Sequence, residues 1–335
     1  MATTERNSSA SVRDARTTSG RTLLVAATGG HLKQLVTFAP RFELEERPIW
    51  VTFPSPQAEV LLEGEPTVFV RHSGQRDFAN VARNTRVANR LLTRHGIDRV
   101  ISTGNSVALS FLPLARARGL EAHYIESATR PLGPSLTGRV LRGVPGVRLY
   151  TQHPACAGGR WTHRGSVFDG FAAGPVADNP PPALKVALIV GTMTYPFTRL
   201  IDRVAAILPP NAEVVLWQTG ANADASERST FMSPLELLRA GAEADVVICH
   251  AGVGSVLDSF DAGHCPIVVP RRAEFGEHVD NHQILLARSL AERGLAIYRE
   301  PEELAPDDLE LAAVSSVRVL PRAPRFELDV RTPLR

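Results

Sequence analysis

The sequence predicts an α/β protein made of two halves, each a parallel sheet covered by helices. Short apolar runs alternate with longer stretches in which apolar residues recur at helical spacing, a pattern typical of parallel α/β folds. The alternation stops at 169–185, where proline, glycine and small residues are concentrated, and then starts again. A length of 335 residues fits two domains, and 44% hydrophobic with 21% charged residues is a composition typical of globular proteins.

The first half is predicted to start with a strand because "RTLLVAA" is an almost continuous apolar run. Its predicted strands are 21–27, 48–53, 67–70, 98–102 and 122–126, and its predicted helices lie around 31–39, 77–94, 106–118 and 135–142. The second half starts again with the apolar run "KVALIVG". Its predicted strands are 185–191, 213–217, 245–249, 266–270 and 295–298, and its predicted helices are 197–208, 234–240, 253–262 and 278–292.

These elements divide the chain into five parts. Residues 21–170 and 185–300 are predicted to be Rossmann-like domains joined by a linker at 171–184. Residues 1–20 contain no apolar core and are predicted to be a disordered tail. Residues 301–335, acidic and then rich in proline and arginine, are predicted to be a C-terminal tail without assigned structure. Two such domains face each other across a cleft at the carboxyl ends of their strands, where ligands of open α/β sheets bind.

Composition and charge argue against several classes of protein. The three cysteines form no Cys-x-x-Cys pair, which indicates a reducing compartment and argues against a disulfide or zinc framework. No stretch reaches the ~18 consecutive apolar residues of a membrane-spanning helix. Residues 1–182 carry 22 basic and 14 acidic side chains, a net charge of +8, whereas 183–335 carry 15 and 21, a net charge of −6.

This charge asymmetry has two interpretations in terms of partners. The two halves could dock on each other, or the basic half could face an anionic membrane surface. Solvated faces of an arginine-rich protein are the alternative explanation. Nucleic acid is not a predicted partner, because the basic residues are dispersed and few aromatic residues accompany them.

The stretch "VVICHAGVGSVLDS", residues 246–259, is the first candidate binding site. Gly252, Gly254 and Ser255 follow an apolar strand and lead into a helix whose first N–H groups have no partner within the helix. Glycines at such a helix start let a phosphate approach the backbone. A tight turn with a serine near the helix start is the alternative. Asp258, one turn into the helix, is placed to reach a ribose beside that phosphate.

The loops of the first half supply candidates for proton transfer. His31 starts a helix after Gly29 and Gly30, and a helix N-terminus lowers the pKa of an imidazole, which favours the form that accepts a proton. His31 is therefore a candidate general base, with a solvent-facing histidine as the alternative. Glu126 could act as base, orient a sugar hydroxyl, or pair with Arg130 as part of the structure. Further glycine and polar positions in these loops are Gly104, Asn105 and Ser127.

The loops of the second half carry hydrogen-bonding groups suited to sugar hydroxyls. Candidates at strand ends are Gly191, Thr192, Gln218 and His250. The loop "PRRAEFGEHVDNHQ" adds Arg271, Arg272, Glu277, His278, Asn281 and Gln283. His278 and His282 lie four residues apart and raise the alternative of a metal site. No His-Glu-x-x-His motif and no Asp-x-Asp pair is present, so no metal is predicted.

Several of these motifs resemble a family of two-part glycosyltransferases. "TGGHL", "YIESATR", "SLTG" and "TQHP" resemble the acceptor half, and "VGTM", "PFTRLID", "QTG", "HAGVGS" and "PRRAEFGEHVDNHQ" resemble the donor half, here in one chain. The family includes the two-subunit GlcNAc transferase acting on dolichol-linked sugar. It also includes bacterial exopolysaccharide transferases, notably β-glucuronosyltransferases acting on undecaprenyl-linked glucose. The donor half is also similar to family twenty-eight glycosyltransferases, including the peptidoglycan GlcNAc transferase.

The resemblance implies a GT-B fold and an inverting transfer from a UDP-sugar to a polyprenyl-diphosphate-linked saccharide, without metal or cofactor. It implies that Gly252, Gly254 and Ser255 hold the diphosphate, Asp258 the ribose, and His31 the acceptor proton. Residues implied to face the donor sugar are Glu277, His278, Asn281 and Gln283. The acceptor-binding candidates are Gly29, Gly30, Gly104, Asn105, Ser127 and Arg130. The acceptor subunit of the dolichol enzyme usually begins with a membrane helix; without one, we expect peripheral attachment to the cytoplasmic face of the cell membrane.

The donor sugar is predicted from two neighbouring arginines. Arg271 and Arg272 follow a strand end beside the sugar loop, and a guanidinium matches a carboxylate with two hydrogen bonds. The sequence therefore favours UDP-glucuronate over UDP-GlcNAc and UDP-glucose, with the diphosphate or Glu274 as alternative partners. UDP-GlcNAc 2-epimerases share the fold but carry a Ser-Gly-Gly-x-Gln-Glu turn, which "HAGVGSVLD" does not reproduce. A non-enzymatic scaffold is the remaining alternative.

Overall fold

A computed structural model describes residues 20–74, 77–94, 96–191, 193–220 and 233–329 of the chain. Within these residues the predicted α/β architecture of two halves is confirmed, each half being a parallel sheet with helices. The tail predicted at 1–20 lies outside the described residues except for Gly20, and so do the last six residues of the predicted C-terminal tail.

The sheet of the first half has seven parallel strands in the order β3-β2-β1-β4-β5-β6-β7. The strands are β1 Arg21–Ala26, β2 Ile49–Thr52, β3 Thr67–Phe69, β4 Ile97–Gly104, β5 Glu121–Ile125, β6 Arg148–Thr151 and β7 Trp161–His163. The helices are α1 Gly30–Phe38, α2 Pro56–Leu61, α3 Phe78–Arg94, α4 Val107–Ala117 and α5 Leu136–Arg142. Strands before β4 are added on one side of β1, and strands from β4 onward are added on the other side. Ligands of such folds bind at the point where the strand order reverses in this way.

The sheet of the second half has five parallel strands in the order β10-β9-β11-β12-β13. The strands are β9 Lys185–Ile189, β10 Glu213–Gln218, β11 Val246–His250, β12 Ile267–Val269 and β13 Ile297–Tyr298. The helices are α6 Thr198–Ile207, α7 Pro234–Glu243, α8 Val253–Asp261, α9 His282–Glu292 and α10 Pro306–Val314. Here the reversal lies between β9 and β11, directly before the glycine-containing turn.

Burial explains why these sequences form strands and helices. Residues Leu23–Ala26 of β1 are fully buried, because helices cover both faces of a parallel sheet. In α3, Asn84, Ala88 and Leu91 lie on one buried face at helical spacing, while the helix keeps its arginines on the exposed face. The apolar run of β1 and the helical spacing of apolar residues in α3 are the local patterns from which the sequence predicts these elements.

All predicted strands and helices of both halves are present, with shifted ends. The largest difference is the helix predicted from 278, which begins at His282. Polar side chains of the preceding loop bind backbone groups instead: Asn281 accepts a hydrogen bond from the N–H of Ala273, and His278 accepts one from the N–H of Asp280. These local bonds compete with helix formation.

The chain beyond the second sheet returns to the first half. The predicted linker contains a short strand, β8 Phe171–Ala173, which pairs antiparallel with β14 Val317–Val319. Farther along, Phe326 is buried against Phe38 and Tyr150. The described part of the predicted C-terminal tail is therefore folded, and it connects the two halves a second time.

Candidate active site

A cavity of about 880 Å³ lies between the two halves, at the carboxyl ends of both sheets. One wall comes from Gly29 and Gly30 at the start of α1 and from the start of α2. The opposite wall comes from the turn after β9, from α7 and from the start of α8. Seven donor-site candidates of the second half line this cavity: Gly191, Gln218, His250, Gly252, Gly254, Ser255 and Asp258. Thr192 lies outside the described residues.

The start of α8 offers backbone donors to this cavity. Gly252 precedes the helix and has no side chain to cap it, and the first hydrogen bond within the helix joins the N–H of Val256 to the carbonyl of Gly252. Among the described residues, no acceptor contacts the N–H groups of Val253, Gly254 and Ser255. Three free donors at a positive helix end form a site for an anion.

His250 explains the glycines beside this helix. Its ring is buried and lies against Gly191 and Gly252, where a Cβ atom on Gly191 would come within 2.6 Å of the imidazole. Gly191 also has a φ of +79°, and its N–H donates to the side-chain oxygen of Gln218 at 2.9 Å. Burial lowers the pKa of His250 to about 3. His250 therefore shapes the cavity as a neutral group and adds no charge at neutral pH.

The two helix starts meet across the cleft. Helix α1 packs on α8, and a Cβ atom on Gly254 would lie 3.7 Å from the Cα of Gly30. Gln57 of α2 accepts a hydrogen bond from the N–H of Gly29 at 2.6 Å, which holds the turn before α1. Gly30 and Gly254 both line the large cavity, so no side chain at these two positions covers the helix starts.

A second cavity of about 260 Å³ lies in the first half and contains His31. The Nδ1–H group of His31 donates to the carbonyl of Thr103 at 2.7 Å, because a carbonyl can only accept. Nε2 therefore carries the lone pair, and burial lowers the pKa of His31. Gly104, with a φ of +100°, leaves room for the ring, since a Cβ atom there would lie 3.2 Å from it. The geometry is that of a neutral histidine ready to accept a proton.

The other acceptor-side candidates also gather at this second cavity. Asn105, Ser127 and Arg130 line it, and Arg130 reaches across the cleft to Asp280 at 3.5 Å. Gly29 and Gly30 line the large cavity instead. His31 follows Gly30 directly, so neighbouring residues of one turn line the two cavities.

Glu126, the second predicted base, lines the second cavity but is hydrogen-bonded within the protein. One carboxylate oxygen accepts hydrogen bonds from the N–H and hydroxyl of Ser135 at 2.9 and 3.0 Å, and the other accepts from Tyr124 and the N–H of Ser127. Burial raises the pKa of Glu126, but both oxygens are occupied. Glu126 holds the start of α5 in place, because Ser135 in turn caps that helix.

The two arginines predicted to face the donor sugar are bonded within the protein. Arg271 is completely buried and donates to the carbonyls of Val190, Tyr195, Pro196 and Glu277. Arg272 bonds to Glu300 at 2.8 Å and to Glu274 at 3.3 Å. Both guanidinium groups are used within the protein, so neither is presented as a fork for a sugar carboxylate.

The remaining donor-loop candidates do not line the cavities described above. Glu277 is held by Arg199 at 2.9 Å, and Gln283 accepts from the N–H of Arg271 at 3.0 Å. His278, His282 and Asp280 each place one ligand atom within 4.8 Å of the others. Asp280 accepts from the ring of His282. This cluster lies at the edge of the cleft, opposite Arg130.

Comparison with known proteins identifies the chemistry. The model of the glycosyltransferase family 28 C-terminal domain matches residues 186–316, the half that holds α8 and its free N–H groups. The chain is a glycosyltransferase. It is similar to UDP-N-acetylglucosamine--N-acetylmuramyl-(pentapeptide) pyrophosphoryl-undecaprenol N-acetylglucosamine transferase from Burkholderia thailandensis, with 26% identity over 87% of this chain and 86% of the relative.

Solved structures of glycosyltransferases share the fold of this glycosyltransferase. The MurG protein of Acinetobacter baumannii matches with a TM-score of 0.51 and 20% identity over 86% of this chain and 88% of that one. The glycotransferase of kitacinnamycin matches with a TM-score of 0.52 and 20% identity, covering 88% and 89% of the two chains. The predicted GT-B fold is confirmed. In the part of the chain that the structure describes, no helix is long and apolar enough to cross a membrane.

Three residues of the site were missed by sequence reasoning. Thr103 fixes the tautomer of His31 through a backbone carbonyl, which any residue could supply, so no sequence signal exists. Gln57 lies on a short helix, α2, that was not predicted, although Ser55 before Pro56 is an N-terminal helix signal. Lys33 follows the glycine turn in "TGGHLK" but bonds to residues of the second half.

Proposed function

We propose that the chain is an inverting, metal-independent enzyme that moves a sugar from a UDP-sugar to a polyprenyl-diphosphate-linked saccharide. The observation that carries this proposal is the position of His31, which lines the acceptor-side cavity with its Nε2 lone pair free of the Thr103 bond and follows Gly30, a residue of the large cavity. The large cavity ends at the free N–H groups of α8. A base on one side and an anion site on the other are the two groups that direct displacement requires.

The reaction proceeds in one displacement. An acceptor hydroxyl bound beside Asn105 and Arg130 gives its proton to Nε2 of His31 while its oxygen attacks the anomeric carbon of the donor. The bond from that carbon to the diphosphate oxygen breaks, and its electron pair stays on UDP. Attack from the face opposite the leaving group inverts the anomeric configuration. The carboxylate of Glu126, with both oxygens hydrogen-bonded, is not free to act as the nucleophile of a double displacement.

Stabilisation of the leaving group falls to the start of α8. The N–H groups of Val253, Gly254 and Ser255 form the positive end of the helix. They point at the negative charge that develops on the diphosphate. They are preorganised, since the helix holds them in place before the reaction. Removing one donor of this kind typically costs ~10²–10³ in rate. This arrangement supports a reaction without a metal ion.

The donor sugar that we propose is N-acetylglucosamine. The relatives with 26–27% identity are named for UDP-N-acetylglucosamine. Arg271 and Arg272, the residues that favour UDP-glucuronate in the sequence, are already bonded within the protein. UDP-glucuronate remains the second donor to be assayed. Synthesis of an exopolysaccharide and origin from a two-part enzyme stay predictions.

We propose that the face around the second cavity rests on the cytoplasmic side of the cell membrane. Four large apolar side chains there are exposed: Phe78 (70%), Leu132 (85%), Leu136 (55%) and Val140 (48%). Arg139 and Arg142 lie on the same short helix as Leu136. Apolar residues flanked by arginines suit an anionic lipid surface, and this surface would bring a polyprenyl acceptor to His31.

The test is a transfer assay with purified full-length protein, a polyprenyl-diphosphate saccharide in detergent, and a panel of UDP-sugars, with and without EDTA. We expect UDP release and a glycolipid product that both require the acceptor and resist EDTA, and NMR of the product should show the inverted anomer. Product formation from no UDP-sugar of the panel, or complete loss of activity in EDTA, would refute the proposal. Conversion of the UDP-sugar without acceptor would favour an epimerase.

A further inference from the structure

Lys33 joins the two halves beside the part of the large cavity that Asp258 and Asp261 line. It lies on α1 in the first half, and its ammonium group bonds to Asp258 at 2.6 Å and to Asp261 at 2.7 Å, both on α8 in the second half. The Lys33 side chain is 6% exposed. The two carboxylates are one helical turn apart, so a single ammonium group reaches both.

Asp258 divides its carboxylate between Lys33 and the cavity. Its Oδ1 contacts the ammonium group, while 36% of its side chain stays exposed and lines the cavity. Burial raises the pKa of Asp258, and the charge of Lys33 acts in the opposite direction. The ammonium group therefore does two things: it fixes the rotamer of the carboxylate, and it keeps the group ionised in a partly buried position.

We propose that Lys33 is a positioning residue for the nucleotide, aiming the free oxygen of Asp258 at the ribose hydroxyls of UDP. This inference rests on the proposed function, which places the diphosphate at the start of α8 and the ribose one turn farther along the helix. The ribose site is then complete only when α1 of the first half lies against α8. Separation of the halves breaks the contact and weakens the hold on the nucleotide.

The test compares two protein variants and two nucleotides by calorimetry. Asp261→Asn keeps the contact between Lys33 and Asp258. The double variant Lys33→Met/Asp261→Asn removes it and keeps the net charge of the three side chains at that of the wild type. UDP has both ribose hydroxyls, and 2′,3′-dideoxy-UDP has neither. Because the two variants differ only at residue 33, any difference between them belongs to Lys33.

We expect the wild type and Asp261→Asn to bind UDP about 10–100-fold more tightly than the dideoxy nucleotide, as for hydrogen bonds to a charged group. The double variant should lose most of this preference, while its affinity for dideoxy-UDP stays within about threefold of the wild type. A general distortion of the cleft would weaken both nucleotides equally. Lys33→Gln, with a side chain that stays polar, is the second variant in case the double variant does not fold, and it should also reduce the preference.

Three results would overturn the inference. An unchanged preference for UDP in either folded Lys33 variant removes its role in positioning, although the proposed function stands if the wild type binds UDP. Equal losses for both nucleotides assign Lys33 to packing of the halves. Failure of the wild type to bind UDP refutes the proposed function, and with it the role of Lys33.

Discussion

Replacement of His31 by alanine tests the reaction most directly. The ring makes one hydrogen bond to the described residues, from Nδ1–H to the carbonyl of Thr103 at 2.7 Å, so its removal breaks no hydrogen bond to α8. A positioned base contributes ~10²–10⁴ in rate, which corresponds to about 2.7–5.4 kcal/mol at 1.36 kcal/mol per factor of ten. We expect kcat to fall by that factor, with the Kd for UDP nearly unchanged, because His31 does not line the large cavity in which we propose that UDP binds.

A matched control is available in the same half. The Nδ1–H group of His163 donates to the carbonyl of Thr151 at 3.0 Å, a similar bond at the end of another strand, but His163 lines neither cavity. His163→Ala should keep the transfer rate of the wild type. The two variants are compared by UDP release under saturating donor and acceptor and by calorimetry with UDP. A His31→Ala enzyme with more than about half of the wild-type kcat would refute the assignment of the base.

The pH dependence gives a second measurement on the same group. His31 must be neutral to accept a proton, and burial lowers its pKa below that of an exposed imidazole. As pH falls, activity is lost when His31 becomes protonated, so the acid decline of kcat/KM should have its midpoint below pH ~6.5, the ordinary imidazole pKa. A decline centred above pH ~6.5 would contradict a base with a lowered pKa.

Three further predictions concern the nucleotide, the buried arginine and the membrane. Gly254→Val should abolish measurable UDP binding, because its branched side chain fills the space beside Gly30, and Asp258→Ala should weaken UDP binding by about 1–3 kcal/mol. Wild-type affinity for UDP in both variants, measured by calorimetry, would show that the nucleotide does not bind at α8. Arg271→Ala should lower the free energy of unfolding by ~2–4 kcal/mol in urea titrations, because buried carbonyls lose a charged donor, and it should not change the preference between UDP-glucuronate and UDP-GlcNAc. A selective loss of activity with UDP-glucuronate would support the role of Arg271 that the sequence predicts. Leu132→Ser should reduce binding to anionic vesicles in sedimentation assays, and high salt should release the wild-type protein from these vesicles. Binding that only detergent reverses would contradict peripheral attachment.

The helix starts of the site could be predicted because their chemistry is local. An apolar run followed by Gly252 and Gly254 specifies a strand, a turn and an uncapped helix within a few residues, and the structure shows each of these. The same holds for Gly30 and His31 at the start of α1. Backbone donors depend on the helix that carries them, so a pattern that predicts the helix also predicts the donors.

The roles of the charged side chains could not be predicted in the same way, because their partners are distant in the sequence. Arg271 was expected to face a ligand, yet its partners include the carbonyls of Val190 and Tyr195, brought to it by the turn after β9. No local pattern marks Lys33, yet its partner Asp258 is the residue that the sequence predicts beside the ribose. A buried charge is stable only where the tertiary fold supplies donors or acceptors. At this site, the fold engages the arginine pair within the protein and brings Lys33 to the carboxylate that we propose binds the ribose, which is why Lys33, rather than the arginine pair, is the cation to test first.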